Sequence, residues 1–164
     1  MLKHLLVPLD GSALAEKALD YAVQIVAPKR RLTLLYIVEV PEIANTFHPI
    51  GNIPHDVDVN LASARDYLTR VSADLKHDHD LRVTIEIKIG RPAEIITQVA
   101  ETEFVDAIVM STHGRSGIEK FIFGSVTQKV LTAMPCPVFV VPGKEVVKSA
   151  EKQPFGLVKA PGPS

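Results

Sequence analysis

Residues 109 to 130 read VMSTHGRSGIEKFIFGSVTQKV. An apolar run from Ala107 to Met110 breaks at once into the polar turn Ser111-Thr112-His113-Gly114, the pattern of a buried strand leaving its sheet. Further on, Gly124-Ser125 opens a segment that carries Val126, Val130 and Leu131 on one helical face. Two glycine-bearing turns, one after a strand and one at a helix start, can aim several backbone N–H groups at a single point. The helix end adds about half a positive charge there. Such a point suits a phosphate chain, and a Cβ at the glycines would hold the anion away.

Working outward, Leu5 to Leu9 is a short apolar run closed by Asp10-Gly11-Ser12, a strand followed by a turn. Ser12 can cap a helix whose Ala15, Ala18, Leu19, Ala22 and Val26 share a face, with Pro28 just past its end. Leu32 to Val40 is a second, almost wholly apolar strand, as expected of a parallel sheet covered on both faces. Residues 41 to 58 form a long loop with three prolines. Val59 to Lys76 has helical spacing through Leu61, Ala64, Leu68, Val71 and Leu75. Val83, Ile85, Ile87 and Ile89 alternate with polar residues, which predicts a strand near a sheet edge. Gly90-Arg91-Pro92 starts a helix through Ile95, Ile96, Val99 and Ala100, and Val138 to Val141 is a last strand. Strands and helices alternate throughout, so the chain is an α/β domain with a doubly wound, five-stranded parallel sheet and helices on both faces. Pattern alone leaves two common strand orders open.

The spacing strand-(G/S)-x2-G-x9-G-(S/T) is carried by Ser111, Gly114, Gly124 and Ser125. With the opening LLVPLDGS and the closing CPVFVVPG, it resembles the nucleotide signature of the universal stress protein family, in its ATP-binding branch. The resemblance covers residues 1 to 143 and departs at Ser111, where the family has its first glycine; serine is small and adds a hydroxyl donor. It implies strand order 3-2-1-4-5, with a switch point between the first and fourth strands where ligands bind. It also implies ATP as ligand, accompanied by Mg²⁺. Asp10 would meet the adenosine, Pro8 and Leu9 would lie beneath the base, and Ile37 and Val38 would form a wall. Met110, Ser111, His113, Gly114, Arg115 and Gly117 would follow the glycine segment, and Gly124, Ser125, Val126 and Thr127 the helix start. Bound ATP would draw the glycine segment over its phosphates. Short-chain members pair through the last strand, which implies a homodimer with Val138, Phe139, Val140 and Val141 at the contact. The role implied is a nucleotide-responsive stress or signalling module. Its alternatives are an interaction dimer that binds no nucleotide, or a slow ATP hydrolase.

Composition limits the other classes. The chain has 164 residues, 46% apolar and 23% charged, enough for one globular domain with a real core. A formal net charge of −1 gives no general electrostatic case for nucleic acid. A single cysteine, Cys136, allows no internal disulfide and reads as a small buried hydrophobe; with no membrane-length apolar run, the expected location is the cytoplasm. Residues 144 to 164, rich in lysine and proline, read as a mobile tail beyond the domain.

Most isolated polar residues have ordinary readings. Asp10 is a natural turn former, and His113 or Arg115 could as well face solvent as phosphate. His77-Asp78-His79-Asp80 holds metal-ligating types, but neighbouring side chains diverge, and it reads as a solvated linker. No metal site is expected beyond a cation carried by the nucleotide. The sequence has no G-x4-G-K-(S/T), no G-x-S-x-G and no G-x-G-x-x-G after the first strand.

Overall fold

The computed structural model describes residues 2–39, 55–112 and 124–142, with side chains of the second segment described from residue 58. Strand β1 (Leu2–Leu9) leads through Ser12 into α1 (Ala13–Ile25), which passes directly into β2 (Val26–Val38). Then follow α2 (His55–Asp78), β3 (Arg82–Ile89), α3 (Pro92–Thr102), β4 (Ala107–Ser111), α4 (Ser125–Ala133) and β5 (Val138–Val141). All pairings are parallel and the order is β3-β2-β1-β4-β5. The expected topology is therefore the observed one.

Side chains alternate across the sheet and build two cores. Leu5, Val7, Leu32, Leu34 and Val109 meet Ala18, Leu19 and Ala22 of α1 and Leu68 and Val71 of α2. On the other side, Leu6, Leu35, Ile108 and Met110 meet Ile96, Val99 and Ala100 of α3 and Val130 of α4. The small residues of α1 let it lie close to the sheet, and each fully buried leucine contributes about 1.5–3 kcal/mol. Every residue of β4 is buried, which accounts for its continuous apolar run. Strand β3 is at one end of the order, as its alternation predicted.

Several boundaries differ from the sequence reading, β1 beginning at Leu2 and not at Leu5. The second strand begins at Val26 and not at Leu32, because Val26 and Ala27 are buried and Leu2 pairs with Val26. Pro28 therefore lies inside β2. Its missing donor is tolerated where the register shifts between Leu2 and His4 and Lys29 turns to φ 60°. The amide of Lys29 leaves the ladder and donates to the Asp80 carbonyl at 2.6 Å. Helix α2 spans His55–Asp78, so residues expected at the loop's end are helical, and His77-Asp78 closes a helix where a linker was expected. The rest of the 41–58 loop and the 144–164 tail lie outside the described residues.

Candidate functional site

Parallel strands deliver their carboxyl ends to one rim. At the middle of that rim the chain leaves β1 toward one neighbour and returns beside it in β4, so the loops after the two strands part and leave a crevice. Asp10 follows β1 here, and its position is fixed locally. Its Oδ1 accepts the Ser12 amide at 3.0 Å and the Ser12 hydroxyl at 2.6 Å, while Ser12 Oγ accepts the Ala15 amide at 3.1 Å. Gly11 turns the chain at φ +81°, where a side chain would be strained. From β2, the Tyr36 hydroxyl reaches the Asp10 carbonyl at 3.4 Å.

The opposite side of the crevice is the junction of β4 with α4. Thr112 donates to the Val141 carbonyl at 3.0 Å, and Gly124 donates to the Thr112 carbonyl at 2.7 Å. Thr127, only 3% exposed, donates its hydroxyl to the Ser111 carbonyl at 3.1 Å. These bonds pin the first turn of α4 against the end of β4. Gly124 is the N-cap and has no side chain to cap with; the first intrahelical donor is Gln128, to the Gly124 carbonyl at 2.9 Å. The amides of Ser125, Val126 and Thr127 thus have no acceptor within their own helix and carry the positive end of its dipole.

Between the two sides is a cleft of about 390 Å³, within the ~300–1,000 Å³ range of small-ligand sites. Pro8, Leu9, Asp10, Ile37, Val38, Met110, Ser111, Gly124, Ser125, Val126 and Thr127 all line it. The fold thus brings together every expected site residue that lies among the described ones. His113, Gly114, Arg115 and Gly117 lie outside the described residues, as does any movement of the glycine segment. Two expectations change in detail. The Gly124 amide bonds Thr112, so the N–H groups on offer are those of the next three residues. The Thr127 hydroxyl is committed to Ser111 and acts on the shape of the site.

Sequence reasoning missed Ala15, Tyr36, Glu39, Asn60, Pro92 and Ile96, which also line the cleft. Tyr36 and Ile96 looked like ordinary core positions, and Asn60 lies on a helix that only the tertiary fold brings to this rim. Proline at the start of α3 was legible as a helix start but not as a wall. Among the described residues no three His, Cys, Asp or Glu side chains gather as metal ligands. No described helix is long and apolar enough to cross a membrane.

At the far end of the order, β5 pairs with β4 through Ile108–Val138 to Ser111–Val141. Phe139 is 43% exposed, whereas Val141 is 4% exposed and its side chain belongs to the core. That removes the Val141 side chain from the expected dimer surface. Cys136 is half-buried, not fully buried, and burial pushes its thiol pKa up, away from reactivity.

Residues 1–142 match the model of the universal stress protein family. Universal stress protein MJ0531 of Methanocaldococcus jannaschii is 29% identical over 152 residues, covering 87% of this chain and 85% of that one. MJ0577 of the same organism is 28% identical, covering 88% of this chain and 97% of its own. The solved structure of MJ0577 superposes with a TM-score of 0.75, covering 87% of this chain and 96% of that one. A family protein from Arabidopsis thaliana, solved with AMP bound, shares the fold at 14% identity, with a TM-score of 0.60 and 85% and 91% of the two chains covered.

Proposed function

Because the chain belongs to the universal stress protein family, we propose that it is an ATP-binding, nucleotide-responsive stress or signalling module. It would act in the cytoplasm as a homodimer paired through β5. One observation supports the ligand above others: residues from β1, β2, β4 and α4, far apart in sequence, line one cleft at the switch point of the sheet. Its chemistry is graded from end to end. The first amides of α4 suit phosphate oxygens, with Ser125 able to donate its hydroxyl and to hold a Mg²⁺-bound water. Asp10 suits a sugar hydroxyl or a base amino group, and Pro8, Ile37 and Met110 suit the faces of a flat ring.

The same chemistry favours binding over turnover. Fast hydrolysis needs a group that orients or deprotonates water beside the γ-phosphate. Asp10 is held by Ser12 on the β1 side of the cleft, across from α4. Amides that grip ground-state phosphate oxygens lower the substrate's energy along with that of the transition state.

Two measurements test the reading. Acid extraction of the purified protein should release adenine nucleotide, and calorimetry should show ATP binding more tightly than AMP, which lacks the phosphates that α4 would hold. Gly124→Val places a branched side chain in front of those amides. The backbone there, φ −56° and ψ 153°, accepts any residue, so the fold should survive. ATP affinity should fall at least about tenfold. An affinity within twofold of wild type would remove the phosphates from this helix. No binding of any adenylate would leave the interaction dimer as the better account.

A further inference from the structure

Opposite the cleft, the amino ends of the strands form a second rim. Helices α3 and α4 pack side by side on one face of the sheet and run against the strands, so both end there. Each ends in the left-handed conformation, at Phe104 (φ 51°) and at Met134 (φ 41°). Val105 donates to the Ala100 carbonyl at 3.1 Å and Met134 to the Val130 carbonyl at 2.9 Å, bonds that close the two helices. Glycine or asparagine normally takes such positions, because a Cβ is strained there. Here large apolar residues take them, and neither gains burial: Phe104 is 86% exposed and Met134 68%. A lone exposed apolar residue needs no explanation. Two on neighbouring helix ends, whose axes lie about 8–10 Å apart, form a patch.

The rim around the patch is negative. Neither helix has a basic residue in its last turn to offset the negative end of its dipole, and Glu101 adds an exposed carboxylate to α3. The Asp106 carboxylate accepts the Lys3 and His4 amides at 2.6 and 2.9 Å. Arg31 is committed to Glu103 at 2.8 Å, and Lys3 offsets only part of the remaining charge. An apolar segment flanked by cations fits such a surface. Residues 152 to 159 read KQPFGLVK, an apolar island in a stretch from 144 to 164 that has four lysines against two glutamates. We propose that the patch of Phe104 and Met134 is a docking surface for this segment of the same chain. Phe155, Leu157 and Val158 would cover the two side chains, with Lys152 and Lys159 toward the carboxylates. Two side chains fall far short of the ~800 Å² that each partner of a stable dimer buries. A tethered segment needs less area, because its effective concentration is of millimolar order. Its reach suffices: β5, four residues long, is about 13 Å tall, and the eleven residues from Pro142 to Lys152 extend to roughly 36 Å. The tail that composition marks as mobile would then be held at its one apolar point.

The test is NMR of the full chain labelled with carbon-13 at its methionine methyl groups. Met134 reports the patch, and Met110, 5% exposed beside the cleft, reports the fold. Phe155→Ser should shift the Met134 signal by more than its linewidth and leave Met110 in place. Salt at about 1 M, where the Debye length is ~3 Å, should move the wild-type Met134 signal the same way. Phe104→Gly suits the φ 51° backbone, so its melting temperature should equal or exceed that of wild type. In that background Phe155→Ser should no longer shift Met134. A Met134 signal indifferent to Phe155→Ser in the otherwise wild-type chain would overturn the proposal. So would a wild-type Met134 signal that shifts on dilution, which would put a second copy on the patch.

Discussion

Thr127→Val should separate the architecture of the cleft from its chemistry. Valine matches threonine in shape and keeps the β-branch, but it cannot donate to the Ser111 carbonyl, now 3.1 Å from the hydroxyl. Thr127 is 3% exposed and Ser111 7%, so water does not readily replace the lost donor. A net hydrogen bond contributes about 0.5–1.5 kcal/mol, and a buried carbonyl that loses its partner costs about 1–3 kcal/mol. A loss of about 1–2 kcal/mol is expected, read in urea titration as a lower midpoint with an unchanged m-value. For a domain of this size the melting temperature should fall by roughly 3–6 °C. Thr127→Ser keeps the donor and should lose less. Because the hydroxyl is already engaged, ATP affinity should change by less than about threefold in the valine variant. A stability change under about 0.3 kcal/mol would show that the clamp between β4 and α4 does not depend on this bond. A tenfold loss of ATP affinity at intact stability would mean that the hydroxyl faces the ligand.

Glu86 should make stability depend on pH in an unusual direction. A hydrogen bond shared with the Glu103 carboxylate, and then burial, raise its pKa above the ordinary carboxylate value, although Lys88 stands 3.5 Å away. The native state then holds the proton more tightly than the unfolded chain, so stability falls as pH rises from about 4.5 through the folded-state value. Glu86→Gln, which can donate to Glu103 at any pH, should melt higher than wild type at pH 7 and equal to it near pH 4; a variant less stable at pH 7 would refute this. Phe139→Lys puts a charge on the exposed side of β5 and should convert the proposed dimer to monomer in sedimentation velocity; an unchanged dimer would place the contact elsewhere. ATP turnover should lie far below the ~1–100 s⁻¹ of kinases. A rate in that range, abolished by His113→Ala with binding retained, would make the protein an enzyme.

Much of the site could be read before folding because its parts are punctuation: a strand that ends in Asp-Gly-Ser, a strand that ends in Ser-Thr, a glycine that opens a helix. Each marks a strand's carboxyl end or a helix start, where the backbone must change direction. The start of β2 could not be read this way. A proline normally ends an element, and only the pairing of Val26 with Leu2 reveals a strand that continues through Pro28. Tyr36 and Ile96 escaped notice for the opposite reason, since both satisfy their local pattern and say nothing of a cleft.

By itself the sequence determined the alternation of strands and helices, the faces that α1 and α3 bury, and the turns that end β1 and β4 and open α4. Those properties follow from short-range periodicity and from what each backbone unit can adopt. Tertiary structure alone decided which residues share one cleft and which hydrogen-bonding groups remain for a ligand. The Gly124 amide is engaged by Thr112 and the Thr127 hydroxyl by Ser111, partners supplied by the docking of α4 onto the end of β4. A donor's presence is written in the chain, but its availability depends on what the fold places beside it.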